Sequence, residues 1–221
     1  MIEQLKKHPF FSDKTIESCT LLEHQGYCNE NYLLVADGVK YIVRTLLRDD
    51  IDRAFEWQVQ NLVFSKGITA EPLVFDSKDG FMLFSFLEGE HKSKLDENTL
   101  KLLAKTLQKL HSITIDAEPK ELQIDTSSIE CYPTEYVLCH NDLNPQNIFF
   151  SDTVKFIDWE YAGVNDKYFD VACVCVEFEL NKKMQKVFLE AYFEGEYNVE
   201  KLEAYKIIYK TLYEEWFQNN Q

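Results

Sequence analysis

Glycine is scarce in this 221-residue chain, with seven in all, and proline scarcer still, with five. There is no internal repeat or biased tract, so neither a flexible linker nor a low-complexity segment is expected. The six cysteines (Cys19, Cys28, Cys131, Cys139, Cys173 and Cys175) form no C-x-x-C pair, which argues against a zinc site. Several lie in apolar runs and read as reduced, buried thiols, the usual state in a cytoplasmic protein. No apolar run approaches the ~20 residues that span a bilayer. Met1 to Lys7 carries no apolar signal-peptide core, so no membrane insertion is expected. Positive charge is also short: 23 Lys and Arg face 38 Asp and Glu, a net charge of -15. That excludes nucleic-acid binding through a basic surface and favours the approach of a small cation. Hydrophobic residues make up 45% of the chain, enough to build one domain or two small lobes.

The most informative stretch is Val137 to Asp158. Within it, His140-Asn141-Asp142-Leu143-Asn144-Pro145-Gln146-Asn147 places His140, Asp142 and Asn147 in the pattern H-x-D-x-x-x-x-N. Apolar runs flank it, and Val154-Lys155-Phe156-Ile157 ends on Asp158. This reads as a polar loop followed by a short hairpin that turns at Ser151-Asp152. Phosphoryl transfer needs one carboxylate to receive the acceptor's hydroxyl proton and further oxygen ligands for magnesium. An Asp in the loop, an Asn five residues on and an Asp after the hairpin supply that set, in the order found in protein kinases.

Two departures from protein kinases narrow the resemblance. Position 141 is Asn rather than Arg, and Asp158-Trp159-Glu160-Tyr161 stands where Asp-Phe-Gly would. In both features the chain resembles the choline kinases, especially bacterial ones, within the aminoglycoside phosphotransferase superfamily. The resemblance implies a two-lobed, protein-kinase-like α+β fold. Residues 1–88 would form a nucleotide-binding lobe with an antiparallel sheet, and residues 89–221 a mainly helical catalytic and acceptor-binding lobe. It implies ATP and Mg2+ as cofactors. Asp142 would orient and deprotonate the alcohol, and His140 would hold the loop backbone. Asn147 and Asp158 would bind metal, with Glu160 either a second metal ligand or a surface or capping carboxylate. Asp170 would brace the catalytic loop.

In the first lobe, strands are expected near Ile16–Leu22, Asn31–Val35, Tyr41–Leu46, Glu71–Phe75 and Phe81–Phe86, with hairpin turns at Asp37-Gly38 and Asp79-Gly80. Gly26 to Tyr32, including Asn29, holds the place of a phosphate-covering turn, though an ordinary connecting turn fits the single glycine almost as well. Arg44 occupies the position of the kinase strand lysine and can grip phosphate oxygens bidentately. Glu56, on a helix-like run from Ile51 to Val59, is its expected ion-pair partner. Backbone groups of Ser85, Phe86 and Leu87 would meet the adenine edge.

In the second lobe, Asp96 can cap a helix bearing Leu100, Leu103, Leu107 and Leu110 on one face, with His111 structural at its end. Gly163 to Asp166 reads as a polar turn. Glu177 lies two turns down a helix from Asp170 and, by the resemblance, lines the choline pocket. Tyr205, Tyr209, Tyr213 and Trp216 recur at helical spacing, as a core stripe or as aromatic walls for a quaternary ammonium. Trp216 and then Tyr213 are the expected pocket members, and Trp159 a packing residue.

The expected reaction transfers the γ-phosphoryl group of ATP to choline, giving phosphocholine and ADP. Ethanolamine, thiamine and aminoglycoside phosphotransferases are the alternative enzymes, and a non-catalytic nucleotide-binding module is the alternative from another class. Oligomeric state is not legible.

Overall fold

In the computed structural model, which describes residues 2–23 and 29–219, the chain divides into two compact units, Met1–Glu88 and Gly89–Gln221. The first begins with a short helix α1 (Ile2–Leu5), then β1 (Ile16–Leu21), β2 (Asn29–Ala36), β3 (Val39–Leu46), α2 (Arg53–Ser65), β4 (Pro72–Asp76) and β5 (Phe81–Ser85). The strands form one antiparallel sheet in the order β1-β2-β3-β5-β4. The β2–β3 hairpin closes on Asp37 and Gly38, both at positive φ (49° and 73°), between paired Ala36 and Val39. That is the backbone a two-residue turn of this hand requires. Alternation along the strands sorts side chains to opposite faces. Leu34, Val43, Phe81 and Leu83 join Leu5 and Phe11 in one cluster, while Ile42, Met82 and Phe84 face Trp57 of α2 in another.

The second unit contains α3 (Glu97–His111), β6 (Tyr136–Cys139), β7 (Ile148–Phe150), β8 (Val154–Phe156), β9 (Gly163–Asp166), α4 (Lys167–Glu177), α5 (Lys182–Phe193) and α6 (Val199–Asn219). Its entry is held where Glu90 pairs with Phe150; a Cβ on Gly89 would meet the Phe150 carbonyl oxygen at 2.9 Å. Asp96 caps α3 by accepting from Thr99 N at 2.7 Å, and Leu100, Leu103, Leu107 and Leu110 are fully buried along one face. Removing that cap in Asp96→Ala should destabilise the protein by about 1 kcal/mol, read as a lower urea midpoint with unchanged slope. α3 packs on α5 and α4 on α6, and α4 is buried from Tyr168 through Cys175. The described cysteines are free thiols. Burial pushes the thiols of Cys139, Cys173 and Cys175 up, that of Cys175 to about 12, so they stay protonated and unreactive. Among the described residues, no helix is long and apolar enough to cross a membrane.

Gly163–Asp166 is not a polar turn. It is a fully buried strand that pairs antiparallel with β6. Its polar side chains are satisfied by partners distant in sequence. Asn165 Nδ2 donates to Asn141 Oδ1, and Asp166 caps α4 through Tyr168 N and meets Lys201 Nζ at 2.7 Å. Lys201 is only 2% exposed, yet it also reaches the Pro133 carbonyl and Glu135, and sits over the Tyr168 ring. Polar residues can line a buried strand when every donor and acceptor is matched.

Candidate active site

β6 delivers the chain into the loop at His140, and the loop is fastened from below by Asp170 of α4. This fully buried carboxylate accepts from the backbone N–H of His140 (Oδ2, 2.8 Å) and of Asn141 (Oδ1, 2.8 Å). Asp170 is itself held by His111 Nε2 at 3.0 Å, and the other ring nitrogen of His111 meets the Tyr192 hydroxyl. His111 is therefore a second-layer fastener, built from three helices whose meeting is not visible in local sequence.

Both ring nitrogens of His140 are engaged by backbone. A carbonyl oxygen can only accept, so Nε2 donates to Ile157 O (2.9 Å), and Nδ1 accepts the Asp142 N–H (3.3 Å). Trp159 packs on the same ring at 4.6 Å between centroids. This geometry gives His140 the work of holding the loop and leaves it no nitrogen for proton transfer.

Asp142 projects from this scaffold. Its Oδ1 accepts from Asn144 Nδ2 at 3.0 Å and its Oδ2 from Asn147 Nδ2 at 2.8 Å. Asn147 also donates to the Asp142 carbonyl, so its side chain is fixed with the amide nitrogen inward. Among the described residues, no hydrogen bond engages the Asn147 side-chain oxygen. Asn147 closes a single 3-10 turn, Pro145–Asn147, capped by Asn144, and His91 Nδ1 donates to the next carbonyl, Ile148 O, at 2.9 Å. Burial pushes the Asp142 carboxyl above the usual range. The electrostatic influence of His140 and the hydrogen bonds from the two amides oppose that rise, and the charge of Asp158 adds to it. The two carboxylates are thus within electrostatic reach of each other. Asp158 follows β8 at φ 67°, a backbone region that non-glycine residues enter only when their surroundings hold them there. Glu160 is half-buried two residues on.

On α4, Glu177 Oε1 accepts from the Tyr209 hydroxyl of α6 at 2.8 Å. Burial pushes the Glu177 carboxyl up, Tyr209 lowers it, and the charge of Asp142 adds to the rise. Glu177 and Asp142 therefore sense each other. Tyr209 is the aromatic residue that sequence spacing did not single out: of four residues on one stripe, packing of α6 on α4 selects it. Tyr205 and Tyr209 are buried and pack against Tyr168 and Phe169, whereas Tyr213 is 47% exposed, with its ring 6.3 Å from that of Tyr209, and Trp216 is half-buried. The stripe is thus core over its first half, and Tyr213 lies toward solvent.

In the N-terminal unit, Arg44 and Glu56 form a buried ion pair (Nη1–Oε1 3.1 Å), and the other Glu56 oxygen meets Arg53 Nη1 at 2.7 Å. Arg44 Nε also donates to Asn31 Oδ1, and Arg53 Nη2 to Asn29 Oδ1 at 2.9 Å. Asn29 is buried in this network, which engages its side-chain oxygen with Arg53. The expected phosphate turn at Gly26 lies outside the described residues. At Ser85 the backbone N–H donates to Glu71 O at 2.9 Å. Phe86 and Leu87 are half-buried beside it, with Lys40 over the Phe86 ring and Leu87 packed against the Met82–Phe84 cluster.

Comparison with known proteins places this geometry. Residues 129–205, which include the loop, Asp158, Asp170 and Glu177, match the phosphotransferase enzyme family. The chain is similar to Protein LicA of Haemophilus influenzae, 28% identical over 205 residues that cover 76% of this chain and 60% of that protein. Among solved structures it is similar to the choline kinase LicA from Streptococcus pneumoniae, with a TM-score of 0.81 and 22% identity over 98% of this chain and 89% of that one. It is similar as well to LicA in complex with AMP, with a TM-score of 0.74 and 22% identity over 99% of this chain and 88% of the other. The segment that carries the site thus matches the phosphotransferase enzyme family, and over nearly its whole length the chain has the kinase-like fold.

Proposed function

We propose that the protein transfers the γ-phosphoryl group of ATP to the hydroxyl of a small cationic alcohol, choline first, giving phosphocholine and ADP. The observation that carries this reading is the setting of Asp142: a carboxylate aligned by two amide donors, one of them from Asn147, and within electrostatic reach of Asp158. The acceptor oxygen forms a bond to the γ-phosphorus as the bond to the β,γ-bridging oxygen breaks, and the hydroxyl proton passes to Asp142. In a loose transition state the carboxylate need only orient the hydroxyl, which suits a group fixed on both oxygens. Asn147 and Asp158 offer an amide oxygen and a carboxylate, the hard oxygen donors magnesium takes. Bound there, the metal would neutralise phosphate charge. In the other unit, Arg44 would steady the phosphates, while Phe86 and Leu87 would offer backbone groups to the adenine.

Choline is supported by the LicA relatives and by the Glu177 carboxylate, which Tyr209 holds in place. Burial pushes the Tyr209 phenol up, so it stays protonated and donates. Ethanolamine is the second reading. The exposure of Tyr213 favours it, because a primary ammonium donates N–H bonds to carboxylates and depends less on an aromatic cage than a quaternary one.

The test is ADP release with Mg-ATP against choline, ethanolamine, thiamine and kanamycin, with product mass confirmed. Choline-dependent turnover supports the reading, and no transfer to any of the four sinks it. A pH dependence follows from Glu177. A carboxyl whose folded pKa is raised loses its charge as pH falls through that raised value, before an ordinary carboxylate would. The KM for choline should therefore climb on acidification while the KM for ATP stays level. Glu177→Gln should start at the high value and show no such climb.

A further inference from the structure

We propose that Asn141 is a positioning residue that ties the catalytic loop to the Asp158–Tyr161 segment and so fixes the placement of Asp158 against Asp142. The inference rests on the phosphotransfer reading for its catalytic consequence, although the tie itself is a matter of geometry.

Asp158 sits in a short segment fastened before and after. The fastening before it is at Ile157, whose N–H donates to Asn147 O at 2.9 Å and whose carbonyl accepts from His140 Nε2 at 2.9 Å. Both partners belong to the loop. The fastening after it is at Tyr161, whose carbonyl accepts from Asn141 Nδ2 at 3.0 Å and from Lys120 Nζ at 2.5 Å. Between them, Ala162 N closes a turn on Trp159 O at 3.0 Å. A residue at positive φ, as Asp158 is, keeps that conformation only while its flanks are constrained. His140 and Asn147 supply the constraint on one side, and from the loop Asn141 supplies it on the other.

The orientation of the Asn141 amide is determined rather than arbitrary. Asn165 Oδ1 accepts the Asp166 N–H at 2.8 Å, so Asn165 presents its Nδ2 to Asn141 at 2.9 Å. Asn141 must meet that donor with its oxygen, which turns its own Nδ2 to the Tyr161 carbonyl. The backbone of Asn141 is at φ 66°, with its N–H on Asp170. Position 141 thus asks for three things at once: tolerance of the left-handed region, a side-chain donor and a side-chain acceptor. Glycine satisfies the first alone. Aspartate satisfies the first and third but sets a carboxylate oxygen against the Tyr161 carbonyl. Asparagine satisfies all three.

Asn141→Gly therefore separates the tie from the backbone shape. Three readouts are taken on the full chain: Mn2+ binding to the ADP-bound protein by electron paramagnetic resonance, amide exchange at residues 159–162, and steady-state choline phosphorylation. Asn141→Gly and Asn141→Asp should each weaken Mn2+ binding about fivefold or more and speed exchange at 159–162. They should lower kcat at least tenfold, with KM for choline and ATP within twofold of the parent. Lys120→Met, which removes a second donor to Tyr161 O, should move the same readouts in the same direction by less, and serves if Asn141→Gly fails to fold. Parent-like Mn2+ affinity and exchange in these variants would overturn the tie, whatever the activity. If the parent phosphorylates no alcohol, the proposed reaction falls, and Mn2+ binding and exchange still decide the role of Asn141.

Discussion

Asp142→Asn should lower kcat by about a thousandfold, in the middle of the range for removing a general base and equal to about 4 kcal/mol of barrier. The substitution keeps shape and volume but removes the group that receives the hydroxyl proton. It also places an amide nitrogen where Asp142 now accepts from both Asn144 and Asn147, so one of those bonds becomes donor against donor. Loss of one such bond destabilises by about 1 kcal/mol. An opposing effect has a definite sign: burial raises the Asp142 carboxyl, so its ionised form at neutral pH is disfavoured in the folded state relative to the unfolded one. A neutral side chain relieves that penalty. The melting temperature should consequently stay within a few degrees of the parent while turnover collapses, and KM for ATP should barely change. Retention of more than a tenth of the parent kcat would remove Asp142 from the role of base. A large drop in melting temperature would mean that the carboxylate is structural.

What could be seen in the sequence divides along physical lines. Features set by local chemistry were legible: the Asp37-Gly38 turn, the Asp96 cap, the leucine stripe of α3, and the loop and hairpin from His140 to Asp158. Each depends on residues within a few positions of one another. The strand Gly163–Asp166 was misread because its Asn and Asp look like turn residues until Asn141 and Lys201 arrive to pair them. His111 looked like an ordinary helix end, since Asp170 and Tyr192 reach it from other helices. The choice of Tyr209 over its neighbours on the α6 stripe depends on how two helices pack, which spacing on one helix cannot specify. What could not be read is where a polar group's partner lies far along the chain.

The Glu56 network carries the largest expected stability effect. Glu56 is 2% exposed and holds Arg44 with one oxygen and Arg53 with the other. Glu56→Gln removes the carboxylate charge that pairs with both buried guanidinium groups and turns an amide nitrogen toward one of them. Breaking a buried ion pair from one side destabilises by about 3–5 kcal/mol, a large share of the roughly 5–15 kcal/mol that holds a domain folded. In a chain of this length that corresponds to a melting temperature lower by about 6–20 °C. Asn31 and Asn29 each retain a hydrogen bond to the arginines, so the local fold should persist at low temperature. The KM for ATP then separates two roles. If Arg44 contacts phosphate, its misplacement raises that KM about tenfold or more, KM for choline is unmoved, and millimolar ADP or sulfate recovers part of the lost melting temperature by supplying the missing negative charge. If the network is only a buttress between β3 and α2, the melting temperature falls just as far, KM for ATP stays at the parent value, and the anions restore nothing.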